Sequence, residues 1–130
     1  MEKIEKSIKL KTYKDLIAWK KSYQLCLNIY ELTKTFPKSE IFCLSDQIKR
    51  SALSVPSNIA EGYSRHQTKE YIRFLYISYA SLAELETQLM LAKDLSYIDS
   101  DRFKKALHMQ NDVQRLMMGL IRSLKRMNSI

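Results

Sequence analysis

Apolar residues recur along this chain at alternating spacings of three and four, in four stretches separated by short polar breaks. That spacing puts them on one side of a 3.6-residue turn, so each stretch predicts an amphipathic helix. The first covers about residues 13–35. Thr12 serves as its N-cap and Asp15 lies three residues on, the pattern of a capping box. Its leading row is Leu16, Trp19, Tyr23, Cys26 or Leu27, and Tyr30. A second row, Leu25, Ile29, Leu32 and Phe36, widens the apolar face. Pro37 ends this helix, because the residue before a proline is pushed out of the α region.

The second helix is expected over about residues 39–61, with Ser39 as N-cap and a seam of Ile41, Leu44, Ile48, Ser51, Val55 and Asn58. Pro56 lies inside it. A proline there lacks a donor and crowds the carbonyl of Ala52, at a cost of roughly 3 kcal/mol. Ser54, Ser57 and Asn58 are short polar side chains suited to freed backbone groups, and Gly62 is suited to a left-handed C-cap. A kinked helix continuing to about residue 61 is the expectation.

The third helix, residues 68–94, keeps Tyr71, Leu75, Ser78, Leu82, Leu85, Leu89 and Ala92 in strict register, with a flanking row at Ile72, Tyr76, Tyr79, Ala83 and Met90. Two adjacent rows imply either deep burial or a second, intermolecular interface. The fourth, residues 100–127, is capped by Asp99 or Ser100 and has the seam Phe103, Ala106, Gln110, Val113, Met117, Leu120, Leu124 and Met127. Short connections make consecutive helices antiparallel neighbours. The expected fold is therefore all-α, an up-down-up-down antiparallel four-helix bundle spanning residues 13–130 behind a basic N-terminal arm, residues 1–12.

Composition narrows the class. A chain of 130 residues, 45% hydrophobic with 2 Gly and 2 Pro, suits one helical domain. Cys26 and Cys43 lack metal or redox spacing and read as small buried hydrophobes in a reducing compartment. The first eleven residues are charged throughout, and no apolar run approaches the ~18–20 residues of a membrane span. A cytoplasmic protein with no membrane partner is expected.

Charge adds a direction. The net charge is +8. In an up-down bundle, residues 1–15, 61–73 and 118–130 share one end, and they hold eleven cations against five carboxylates, six of the eight net charges. Such a concentration favours phosphate contact by counterion release. The candidate nucleic-acid contacts are Lys11, Lys14, Arg65, Lys69, Arg73, Arg122, Lys125 and Arg126. The bland alternative is that Arg122, Lys125 and Arg126 only complement the C-terminal dipole of the last helix.

Catalytic patterns are lacking. His66 and His108 belong to no Glu-x-x-His pair, Glu84 and Glu86 point to different faces, and neither a glycine-rich phosphate loop nor a GxSxG elbow occurs. Glu61 is the best candidate for an unusual carboxylate, its bland reading being an ion pair with Arg65 or Arg73. Asn58 and Gln110 are polar seam residues, which more often fix register or oligomeric state than act on a substrate. No enzyme, cofactor or metal site is expected.

The runs Asp15-Leu-Ile-Ala-Trp19, Phe36-Pro37, Gln47-Ile-Lys-Arg50, Ser54-Val-Pro-Ser-Asn-Ile-Ala-Glu-Gly62, Lys69-Glu-Tyr and Ser81-Leu-Ala-Glu-Leu-Glu-Thr-Gln-Leu89 resemble the four-helix-bundle proteins encoded by intervening sequences of bacterial 23S ribosomal RNA genes. The likeness covers residues 13–98 most closely. It gives Pro56, Asn58, Glu61 and Gly62 a structural role and brings no settled biochemical function. It implies a ring-like homopentamer and distant kinship with the accessory protein of diversity-generating retroelements, a basic pentamer that binds nucleic acid and a reverse transcriptase. Ala80 and Cys43 depart from glycines expected in similar sequences, which bears on fine packing. The resulting expectation is a non-enzymatic homo-oligomer that binds RNA or DNA, structured RNA foremost, through its basic end. The alternative is a protein-interaction scaffold whose partner is another protein.

Overall fold

The computed structural model describes residues 10–128. The arm assigned to residues 1–12 therefore lies mostly outside the described residues. Four long helices carry the fold: α1 (Ile17–Leu32), α2 (Leu44–Ser64), α3 (Thr68–Asp94) and α4 (Ser100–Asn128). No strand occurs among the described residues. Each helix packs on two others, α1 on α2 and α4, and α3 on α2 and α4. Cross-helix pairs run in opposite chain directions. Ser78 Oγ donates to the Val55 carbonyl at 2.8 Å, Ser54 and Ser81 share a hydrogen bond of 2.8 Å, and Gly62 faces Tyr71 and Phe74.

The core is drawn from all four helices. Leu25, Ile29, Ile48, Ile59, Leu82, Leu85, Leu89 and Met117 are buried within it. On α3 and α4 the predicted seams hold, apart from Tyr71, Phe103 and Leu124, which are half-buried, and Met127, which is exposed. On α1 they reverse rank. The second row, with Ala18 and Ser22, faces inward, while Tyr23, Leu27 and Tyr30 of the leading row are exposed. Small inward residues let α1 sit close to its neighbours, and the bulkier amphipathic rings are left at the surface.

Helix ends differ from expectation for local reasons. The Thr12 capping box forms: Thr12 Oγ1 accepts from the Lys14 amide at 3.1 Å, and Asp15 accepts from the Thr12 amide at 3.1 Å and the Lys11 amide at 2.8 Å. It opens only a single 3-10 turn, Tyr13–Asp15. Leu16 then extends (φ −70°, ψ 128°) to bury its side chain before α1 begins. α2 begins at Leu44, five residues later than Ser39, after a 3-10 turn at Lys38–Glu40. Ile41 is consequently exposed and off the seam, and Cys43 is exposed where a buried thiol was expected. Cys26 is buried as expected, and burial pushes its thiol pKa up.

Pro56 is accommodated within α2 without ending it. Asn58 donates to the Ser54 carbonyl at 2.8 Å and to its hydroxyl at 2.9 Å; these bonds go to Ser54 and not to the Ala52 carbonyl, the group that Pro56 deprives of a donor. Gly62 is not a left-handed cap. It remains helical and buried in the last turn of α2, and the left-handed residue is His66 (φ 58°), in the connection to α3. Ala80 is exposed, so it adjusts no helix contact within the chain. Asp99 caps α4 by accepting from the Arg102 amide at 2.8 Å.

That cap has a pH signature. The Arg102 amide, and then its guanidinium, hold the Asp99 carboxyl below the usual carboxylate range, as the Lys11 and Thr12 amides hold Asp15. A pKa depressed on folding contributes stability that is present above the unfolded value and is lost as pH falls through the lowered folded one. Asp99→Asn keeps a capping oxygen but cannot titrate. Its melting temperature should fall less between pH 5 and 3 than that of the parent, as followed by circular dichroism.

Candidate nucleic-acid interface

The start of α1, the α2–α3 connection and the end of α4 supply the eight predicted cations, and all eight side chains are exposed. Lys11 and Lys14 flank the capping turn. Arg65, Lys69 and Arg73 surround the short α2–α3 connection, while Arg122, Lys125 and Arg126 stand on the last turns of α4. The ammonium of Lys125 sits 5.0 Å from the centroid of the Tyr76 ring, which joins the end of α4 to the first half of α3. The guanidinium groups of Arg65 and Arg73 lie 5.0 and 4.5 Å from the ring of Phe74, one ring serving both. These aromatic contacts hold long cationic side chains in place without neutralising them.

The carboxylates at this end are already committed. Glu61 pairs with Arg65 at 2.8 Å and Glu70 with Arg73 at 2.9 Å, while Asp15 accepts the two backbone amides described above. Among the described residues, Lys14, Lys69 and Arg122 face no carboxylate partner. Eight cations against three carboxylates leave this end strongly positive. Residues 31–40 and 93–105, at the opposite end, carry six cations and five carboxylates. The charge asymmetry expected from the sequence is thus present on the folded surface.

The remaining sequence candidates resolve individually. Glu61 is the exposed ion-pair partner of Arg65, the arrangement expected of a structural carboxylate. Asn58 serves the α2 backbone, and Gly62 makes the close α2–α3 approach. Gln110 is buried on α4, as a seam residue should be. Tyr97, in the α3–α4 connection, donates to Glu40 at 2.8 Å, and that hydrogen bond raises the phenol pKa. Among the described residues no three His, Cys, Asp or Glu side chains cluster as metal ligands, and no helix is long and apolar enough to cross a membrane.

A family model described as 23S rRNA-intervening sequence protein matches residues 14–119, most of the chain. The chain belongs to the 23S rRNA-intervening sequence protein family. Its fold is also similar to a crystal structure from Bacteroides thetaiotaomicron VPI-5482, described as a protein with unknown function from the S23 ribosomal protein family. The two are 25% identical with a TM-score of 0.77, over 84% of this chain and 98% of the other. No curated protein matches this chain. In this member of the intervening-sequence family, the Ser54–Gly62 run supplies the α2 face that α3 packs against through Ser78 and Phe74.

Sequence reasoning missed one surface. Helical spacing places Trp19, Tyr23 and Tyr30 on the core side of the first helix, whereas Tyr23 and Tyr30 are exposed. The signal was available in Ala18, Ser22, Leu25 and Ile29, a competing row whose small and aliphatic members fit a close helix contact better than three large amphipathic rings.

Proposed function

We propose that this protein is a non-enzymatic homo-oligomer, a cytoplasmic pentameric ring, that binds nucleic acid, structured RNA foremost, through its basic end. The observation that carries the binding reading is the end with eight exposed cations whose three neighbouring carboxylates are all engaged. A duplex presents closely spaced phosphates, and neutralising several of them releases condensed counterions. Ring formation is supported by apolar surface that the single chain leaves open along α3, at Tyr76, Ile77, Met90 and Leu91. Closed rings place equivalent ends side by side, so weak sites act together.

Fluorescence anisotropy of a labelled ribosomal RNA hairpin over a salt series tests the binding. Log K should fall by several units per decade of salt, with about 0.9 per phosphate neutralised. A flat salt response removes the reading. Native mass spectrometry of the same preparation tests the ring.

A second reading has its own observation. Phe42 is 91% exposed and Ile41 52%, both in the turn before α2, at the nearly neutral end. Such apolar exposure suits a scaffold that docks another protein. Recovery of one partner after nuclease treatment, lost with Phe42→Ser, would favour it.

A further inference from the structure

The exposed row of α1 takes no part in the basic end. Tyr23, Leu27 and Tyr30 are 44%, 51% and 42% exposed. Trp19 stacks on Tyr23 with ring centroids 5.1 Å apart and planes at 21°, and Tyr13 meets Trp19 edge-on at 5.3 Å. Across the α1–α2 seam, Leu53, Pro56 and Ala60 complete a shallow groove with Tyr13, Trp19 and Tyr23. Tyr23 and Tyr30 lie seven residues apart on α1, two turns or about 10 Å along the axis.

Cations fringe these rings. The Lys49 ammonium lies 5.5 Å from the Tyr30 ring centroid, and exposed Lys20 stands three residues before Tyr23, on the same face of α1. The carboxylates nearby are occupied: Asp15 by two backbone amides, Glu31 by Lys34 at 2.9 Å, and Asp46 by Arg50 at 3.0 Å. One side of Tyr23 is taken by Trp19 and one side of Tyr30 by Lys49, yet both residues keep over two-fifths of their surface exposed. Part-exposed rings beside lysines have the chemistry of a stacking platform, on which bases lie against rings while cations follow the phosphates.

We propose that the exposed row of α1, from the groove at Trp19 and Tyr23 along the helix to Tyr30, binds single-stranded nucleic acid, with bases stacked on Tyr23 and Tyr30 and phosphates held by Lys20 and Lys49. This rests on the reading that the protein binds nucleic acid, and adds a strand class and a site on the side of the bundle. A duplex cannot use the groove, because its bases already stack on one another and show no free face. A second copy of the chain fits it poorly. Interface centres are depleted of lysine, and covering Tyr30 would bury Lys49 without a carboxylate partner.

Trp19 is the only tryptophan in the chain, so its emission reports on this groove alone. The intact protein is titrated with an unstructured uridine 12-mer, an RNA hairpin closed by a tight tetraloop whose bases stack on one another, and heparin, and both emission and affinity are read. The uridine strand should quench Trp19 saturably, whereas the hairpin and heparin should bind with little quenching. Tyr23→Ala and Tyr30→Ala, checked for unchanged helicity, should each weaken the uridine strand about tenfold and leave the hairpin unaffected. Tyr23→Phe keeps the ring and should keep the affinity. The proposal is overturned if both alanine variants bind the strand like the parent, or if heparin quenches equally. Emission that tracks protein concentration and ignores the strand would assign the groove to a second copy. Failure of hairpin and strand alike would remove the basic-end reading as well, whereas hairpin binding with no ring dependence for the strand would remove only this one.

Discussion

Gly62→Leu should lower the unfolding free energy by about 3 kcal/mol, the upper range for overfilling a packed interior. A Cβ at position 62 would lie 2.8 Å from the Phe74 Cβ and 3.2 Å from both the Tyr71 carbonyl oxygen and its ring. Phe74 Cβ is one bond from the backbone, so relief requires α3 to move and not merely a side chain to turn. The position is helical with no left-handed strain, which makes it a test of space alone. For a domain of this size the melting temperature should drop by roughly 10 °C. Gly62→Ala meets the same near contact but gains about 1 kcal/mol of helix propensity, so its net loss should be near 1 kcal/mol. Thermal unfolding by circular dichroism ranks the three proteins. An unchanged melting temperature for the leucine variant would mean that the α2–α3 approach is looser than the structure shows.

Replacing Arg122, Lys125 and Arg126 together with glutamine should weaken hairpin binding by about a hundredfold or more near physiological salt. It should also reduce the slope of log K against log salt by about three, since each lost phosphate contact removes about one counterion. Glutamine keeps helix propensity while removing charge, so α4 should remain formed. If these cations serve only the dipole of α4, binding and slope will be unchanged. The loss will then appear as stability, about 0.3–1 kcal/mol for each residue. The two outcomes are separated by measuring anisotropy and thermal unfolding on the same sample.

The helices and most of their seams were legible because three-and-four spacing directly encodes which side of a helix is buried. The basic end was legible for a related reason: short connections fix which helix termini share an end. Legibility failed where two physical solutions were locally equivalent. On α1 both rows have helical spacing, so spacing alone does not rank them; the smaller residues of the Ala18, Ser22 and Ile29 row are what separates it from the row of Tyr30. At the start of α2, Ser39 is an acceptable cap, but Leu44 is the first residue whose side chain reaches the interior. Gly62 carried two valid meanings, a left-handed cap or a close approach. The choice depended on Tyr71 and Phe74, partners in another helix.

The seams of the bundle also set an order of assembly. Three of the four join helices consecutive in the chain, and only the α1–α4 seam brings distant segments together. Contacts between neighbours form with little loop-closure cost, so the successive hairpins should appear quickly and α4 should close the structure last. During synthesis, Ala18, Ser22 and Ile29 would wait beside an unfinished core until residues 100–128 arrive. The helix that completes the core is then the one that delivers Arg122, Lys125 and Arg126. A chain halted before it would lack both a closed interior and three of its basic contacts.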